Sequence, residues 1–291
     1  MSSAGAVWTD LGDGVLVRQS AAFAMNSVVL LDPERAVVVD PGVLPSELDN
    51  LARIVGEPAP EAITLFFTHA HWDHVLGRTW WPSAETLAHD RFAAELRADR
   101  DTIVSEAAAV AATHGEGWER EFTPFKPDLA VSGLRFLRLD PWRLVLRDAP
   151  GHSSSQLTCH LTDFNILIAA DMLSDIEPPI LGGPCGPYRE TLQSLRVLAE
   201  HGAIETLIPG HGRIAEGRDE VLARFQTDLD YLEVLERRVQ EAVGRGETLE
   251  TTQETLATMD YTGRQSDTYP TDAFHRENIR FAYQAAGPPR H

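Results

Sequence analysis

Residues 69–74 read His-Ala-His-Trp-Asp-His and follow Leu65-Phe66-Phe67 after a single residue, Thr68. Three imidazoles and a carboxylate at the end of an apolar run are costly to bury, because each polar group needs a partner and several together need a cation. The chain must therefore end a buried strand, Ile63–Phe67, in a turn that gives these side chains shared company. His69 and His71 are two residues apart, so in extended chain they point the same way. Asp73 and His74 follow where a helix can begin, and they leave in a second direction. One turn can thus feed two adjacent metal positions.

Two more histidines have a common setting. His152 lies in Pro150-Gly151-His152-Ser153, after a strand signal at Arg143–Arg147. His211 lies in Pro209-Gly210-His211-Gly212, after Thr206–Ile208. Pro-Gly predicts a tight turn that presents the imidazole at a strand end. Asp171 closes the apolar run Asn165–Ala170, where a carboxylate projects from the rim of a sheet. Asp40 closes Ala36–Val39 in the same manner, ahead of Pro41-Gly42.

The rest of the chain supplies layers. Val15–Val17, Ser27–Leu31 and Ala36–Val39 read as strands, with a hairpin turn at Asp32-Pro33-Glu34-Arg35. Pro45–Ile54 reads as a helix with Leu48, Leu51 and Ile54 on one face. Arg91 to about Ala112 reads as helical, and Gly115–Asp128 as an aromatic-bearing loop. The span 89–128 is thus a candidate lid or pocket wall, or equally a packed surface helix pair. Strand signals resume at Leu134–Leu139, Arg143–Arg147, Gln156–Leu161 and Ile166–Ala170. Arg189–Glu200 is helical, as are Asp219–Val243, Leu249–Met259 and Thr271 to about Ala285. Strands, helix, strands, helix suits sheets packed together with helices outside. We expect a domain over 1–217 that carries the site and a helical extension over 218–291.

In this order His69-Ala70-His71-Trp72-Asp73-His74, then His152, Asp171 and His211, resemble the motifs of the metallo-β-lactamase superfamily. The resemblance runs from about Val7 to Gly217 and includes Asp40. It implies an α/β fold, an αββα sandwich with the site at the sheet edges. It implies that His69, His71 and His152 hold one metal, that Asp73, His74 and His211 hold a second, and that Asp171 bridges them. Asp40 would orient a ligand or its loop, and Asp73 would act in catalysis by orienting the attacking hydroxide or relaying its proton. Imidazole and carboxylate ligands suit Zn2+, two per chain, with iron or manganese as alternatives. There is no Gly-x-Ser-x-Gly nucleophile elbow. Within the superfamily, the carboxylate at Asp171 and the histidine at His74 separate the chain from zinc β-lactamases. Ala70, the Cys185-Gly186-Pro187 segment and a single lysine, Lys126, separate it from glyoxalase II. The expectation is a hydrolase acting on a small ester, thioester or lactone. A mononuclear iron oxygenase of the persulfide dioxygenase type, a phosphodiesterase and a metal-stabilised binding protein are the alternatives.

Composition narrows the partners. The chain has 25 basic and 44 acidic residues, a net charge of −19, which disfavours nucleic acid and anionic membranes and leaves a small-molecule substrate. A homo-oligomer is left open. No apolar run approaches the ~20 residues of a membrane span. Met1–Asp10 shows no secretory pattern, and Cys159 and Cys185 cannot build a disulfide framework, so the expected location is cytoplasmic. Cys159 reads as a small buried hydrophobe and Cys185 as a loop residue of open role. His89, His114, His160, His201, His275 and His291 lie outside any ligand pattern. Tyr188 reads as a core aromatic, with a substrate contact as the alternative. Tyr261, Tyr269, Phe274, Phe281 and Tyr283 of the tail are expected to pack it onto the core, with a wall of the substrate pocket as the alternative.

Overall fold

A computed structural model describes residues 7–56, 61–259 and 270–287. The first half runs β1 (Val7–Asp10), β2 (Val15–Gln19), β3 (Asn26–Leu31), β4 (Arg35–Val39), α1 (Pro45–Gly56), β5 (Ala62–Phe66) and α2 (Trp72–Val75). After a 3-10 turn (Leu76–Thr79) come β6 (Glu85–His89), α3 (Phe92–Ala98), α4 (Arg100–Thr113), β7 (Leu129–Val131), β8 (Leu134–Leu139) and β9 (Trp142–Asp148). The second half runs β10 (Leu157–Leu161), β11 (Ile166–Ile168), α5 (Cys185–Glu200), β12 (Thr206–Ile208), β13 (Ala215–Glu216), α6 (Arg218–Gly244), α7 (Leu249–Leu256) and α8 (Thr271–Ala286). One sheet has the order β1 to β7 and the other the order β13-β12-β11-β10-β9-β8. These are the sheets and covering helices of an αββα sandwich. Among the described residues no helix is long and apolar enough to cross a membrane.

The chain divides into two compact units, Met1–Asp148 with Ser155–Cys159, and Ala149–Ser154 with His160–His291. In the first unit β1 to β4 pair antiparallel. The hairpin turn forms where expected, with Asp32 N donating to Arg35 O at 2.9 Å. From β4 to β7 the pairing is parallel, which requires crossovers. α1 is the first of them. It buries Leu48, Leu51 and Val55 in one cluster with Val38 of β4 and Leu65 of β5. Each such side chain contributes about 1.5–3 kcal/mol on full burial. Val55 takes the inward position expected of Ile54, which is only half-buried, because seven residues from Leu48 is close to two full helical turns while six is not. The register Val39↔Phe66 brings Asp40 and the turn after β5 out at the same carboxyl edge.

The helical stretch Arg91–Ala112 forms two helices, divided at Asp99, whose backbone (φ −99°, ψ 8°) ends α3 and opens α4. The alanine-rich sequence around it, made of good helix formers, hides this junction. Residues 115–128 form no regular element, yet they are packed down. Phe122 is buried, Phe125 lies 5.1 Å from the Phe67 ring, and Glu116 accepts from Ser46 N and Oγ at 2.8 and 2.6 Å.

In the second unit β11 and β12 pair in parallel and β13 antiparallel on β12. Leu167 and Leu207 share one core with Leu192 of α5 and with Phe225 and Leu232 of α6. Phe281 and Tyr283 of α8 pack against it, as expected of the tail. Tyr261, Tyr269 and His291 lie outside the described residues. Cys185 is the buried first residue of α5 rather than part of a loop. The helix can start ahead of Pro187 because N–H groups of the first turn have no intrahelical partner to lose.

Candidate metal centre

Each unit carries a cluster of metal-ligand type. In the first unit the chain leaves β5 at Phe66, bends at Thr68 and His69 and turns into α2 at Trp72. His71 comes off extended backbone (φ −69°, ψ 154°), while Asp73 and His74 come off a helical turn. The rings of His69 and His71 are 4.5 Å apart, and those of His69 and His74 are 4.1 Å apart. Asp73 Oδ2 is 3.7 Å from His74 Nε2. His69 and His74 are fully buried and Asp73 is buried, while His71 is half-buried.

Asp40 organises this cluster. Its Oδ1 accepts from Thr68 N at 2.7 Å and its Oδ2 from Thr68 Oγ1 at 2.6 Å. The same Oδ2 lies 3.0 Å from His74 Nδ1. A carboxylate there fixes the proton of His74 on Nδ1 and leaves Nε2 as the lone-pair nitrogen. Thr68 Oγ1, its own proton given to Asp40, accepts from His69 Nδ1 at 3.1 Å. His69 is thereby set in the same tautomer. Thr68 was not singled out by sequence reasoning; its position just before the first histidine is the available signal. Gly77 permits the close packing here, because a Cβ on it would lie 2.3 Å from Pro41.

In the second unit Asp171 stands between two histidines. Its Oδ2 is 3.3 Å from His152 Nε2 and 3.6 Å from His211 Nε2. All three are buried. His152 Nδ1 donates to Ile180 O at 2.8 Å, so its Nε2 is the nitrogen turned to Asp171. Gly210 makes the approach of the two turns feasible, since a Cβ on it would sit 2.0 Å from Asp171 Oδ1. Tyr188 is a core residue whose hydroxyl donates to Asp171 O at 3.2 Å, so it steadies the backbone of a ligand.

The remaining described histidines have local work. His89 Nδ1 accepts from Arg91 N, His160 Nε2 donates to Ala203 O, and His201 Nδ1 donates to Val197 O. His114 ends α4, and His275 bonds to Tyr231 and Leu256. Neither cysteine joins a cluster. Burial pushes the Cys185 thiol up to about 11, against the nearby Arg189, and pushes Cys159 up as well. The donors are thus imidazole and carboxylate throughout, several of them with the far ring nitrogen already engaged. That chemistry fits a divalent metal.

Fold and clusters together define a metallo-hydrolase class of protein. Residues 22–211 match the sequence profile of the metallo-β-lactamase superfamily, and the chain belongs to that superfamily. It is 24% identical over 201 residues to the probable metallo-hydrolase YqgX of Bacillus subtilis (strain 168), covering 64% of this chain and 84% of that one. Its fold is similar to that of a metallo-β-lactamase family protein from Thermus thermophilus. There the TM-score is 0.64 at 20% identity over 93% of this chain and 94% of the other. It is also similar to the inverting sec-alkylsulfatase Pisa1 from Pseudomonas sp., with TM-score 0.68 and 15% identity over 98% of this chain. The chain spans about half, 51%, of that sulfatase. At these identities the two structures bear on the fold alone.

Proposed function

We propose that the chain is a dinuclear zinc hydrolase of a small ester, thioester or lactone. The supporting observation is a donor set complete in number and type. The first unit supplies His69, His71, Asp73 and His74, and the second His152, Asp171 and His211, all of metal-ligand type. In this reading His69, His71 and His152 would hold one ion, Asp73, His74 and His211 the other, and Asp171 would be a ligand to both. All-imidazole-and-carboxylate ligation suits zinc, with iron and manganese behind it. When bound, such a pair polarises a substrate oxygen and makes a water nucleophilic at neutral pH.

The protein's own part is orientation. Asp40 and Thr68 set the tautomers of His74 and His69, and Ile180 O sets that of His152. Asp73 would orient the attacking water or relay its proton. The negative net charge of −19 supports a small-molecule substrate over a polyanion, and the reading includes a cytoplasmic setting.

Elemental analysis of protein purified without chelator or metal resin tests this. About two zinc per chain, with turnover on an ester, thioester and lactone panel, is the expected outcome. About one iron per chain, with oxygen uptake on persulfides and no hydrolysis, would replace it with the oxygenase reading.

A further inference from the structure

The two ligand-bearing turns of the second unit are tied down by a helix outside the residues that match the family profile. This inference rests on the proposal that Asp171 and His211 are metal ligands. The Asp171 turn is strained on both sides, with φ of +52° at Ala170 and +64° at Leu173, neither of them glycine. Backbone in that region persists only where its surroundings hold it. At Ala170 the carbonyl accepts from Gly210 N and Met172 N, and at Leu173 two side chains of α6 take hold. Leu173 N donates to Asp228 Oδ2 at 3.1 Å, and Leu173 O accepts from Arg224 Nη1 at 3.1 Å.

The same guanidinium reaches the other turn. Arg224 Nη2 donates to Arg213 O at 3.3 Å, two residues beyond His211, and lies 3.5 Å from both Asp175 Oδ2 and Glu220 Oε1. Asp175 accepts from Arg213 N and Nε at 2.8 and 2.7 Å, closing the link between the turns. Arg224 is 7% exposed and Asp228 1% exposed. Burying an arginine and an aspartate is a poor route to stability when apolar residues fill the same space at less cost. What the pair supplies is geometry: a planar fork with fixed donors spanning two carbonyls, and an acceptor for one strained amide.

We propose that Arg224 and Asp228 are positioning residues of the metal centre. They act through the backbone at 171–173 and 211–213 and touch neither metal nor substrate. The full chain is stripped of metal and titrated with zinc in competition with a chromogenic chelator. Wild type, Arg224→Met, Asp228→Ala and Asp228→Asn are compared, with melting of each metal-free protein as the control for folding.

Arg224→Met and Asp228→Ala are expected to bind zinc roughly tenfold or more weakly, the cost usual for loss of a ligand's supporting partner. Their metal-free melting should stay close to wild type. Asp228→Asn keeps an oxygen for Leu173 N and should recover most of the lost affinity. If Arg224→Met does not fold, the Asp228 pair decides. Unchanged zinc affinity in Asp228→Ala, or equal losses in Asp228→Ala and Asp228→Asn, overturns the inference while the site reading stands. Failure of the wild-type chain to take up zinc overturns the site reading, and this inference with it.

Discussion

A histidine becomes a usable metal ligand when its second ring nitrogen is already committed. His69, His74 and His152 each meet that condition through a different partner: a hydroxyl, a carboxylate and a carbonyl. Asp40 bears most of this in the first unit. It also sits at φ +46°, a left-handed conformation that aspartate tolerates better than most residues. Asp40→Ala would deprive the Thr68 amide, the Thr68 hydroxyl and His74 Nδ1 of one shared acceptor. The expected result is a metal affinity lower by about 10–100-fold with the fold retained, read by chelator competition and circular dichroism. An affinity equal to wild type would show that His74 needs no carboxylate behind it.

Among the elements, α8 is held by one buried polar chain. Asn278 Nδ2 donates to Pro179 O at 2.6 Å and to Tyr231 Oη at 2.8 Å, and Asn278 Oδ1 accepts from Leu181 N at 2.9 Å. Tyr231 Oη in turn lies 2.8 Å from His275 Nδ1, while His275 Nε2 donates to Leu256 O at 3.0 Å. With Nε2 donating to Leu256 O, His275 Nδ1 can accept from the Tyr231 hydroxyl only while the ring is neutral. Burial holds its pKa below the ordinary 6.5, against the opposing pull of the Leu256 carbonyl and Asp272. The sign follows from linkage. Above 6.5 the ring is neutral both folded and unfolded, and its contribution is complete. As pH falls below 6.5 the unfolded chain takes up the proton first, and stability drains until the lowered folded value is passed. Denaturant melts at pH 7.5 and about pH 5 should therefore differ more for wild type than for His275→Gln, whose amide does not titrate. Equal differences would remove His275 from the account. The sequence showed the strand-end ligands because each needs a particular residue type at the close of an apolar run. It did not show this network or the α6 anchors. Arg224 and Asp228 lie four apart on a helix, the spacing of an ordinary solvated pair, and only tertiary packing buries them. Strands β1, β6 and β7 escaped for a related reason: they are short, and β6 mixes Glu85 and Thr86 with its apolar residues. Parallel pairing with a neighbour, rather than alternation, makes β6 and β7 strands.

For the whole molecule, the excess of 44 acidic over 25 basic residues makes self-repulsion a global term. Raising ionic strength from about 0.01 to 0.15 M shortens the screening length from ~30 to ~8 Å. The melting temperature should rise by roughly 2–4 °C, the equivalent of about 1 kcal/mol in a domain of this size. A fall over that range would mean that attractive pairs, such as Arg213 with Asp175 at 2.7 Å, outweigh the net repulsion. The parallel register of β11 and β12 has a consequence for how such a chain can diverge. Ile168 stands opposite Ile208, and Asp171 and His211 each follow three residues later. Because the two spacers are equal and start level, adding or deleting one residue in either would move one donor past the other by most of a strand step, ~3.3 Å. Chain length is therefore locked over 169–171 and 209–211, and insertions and deletions are confined to stretches that do not measure out the distance between donors.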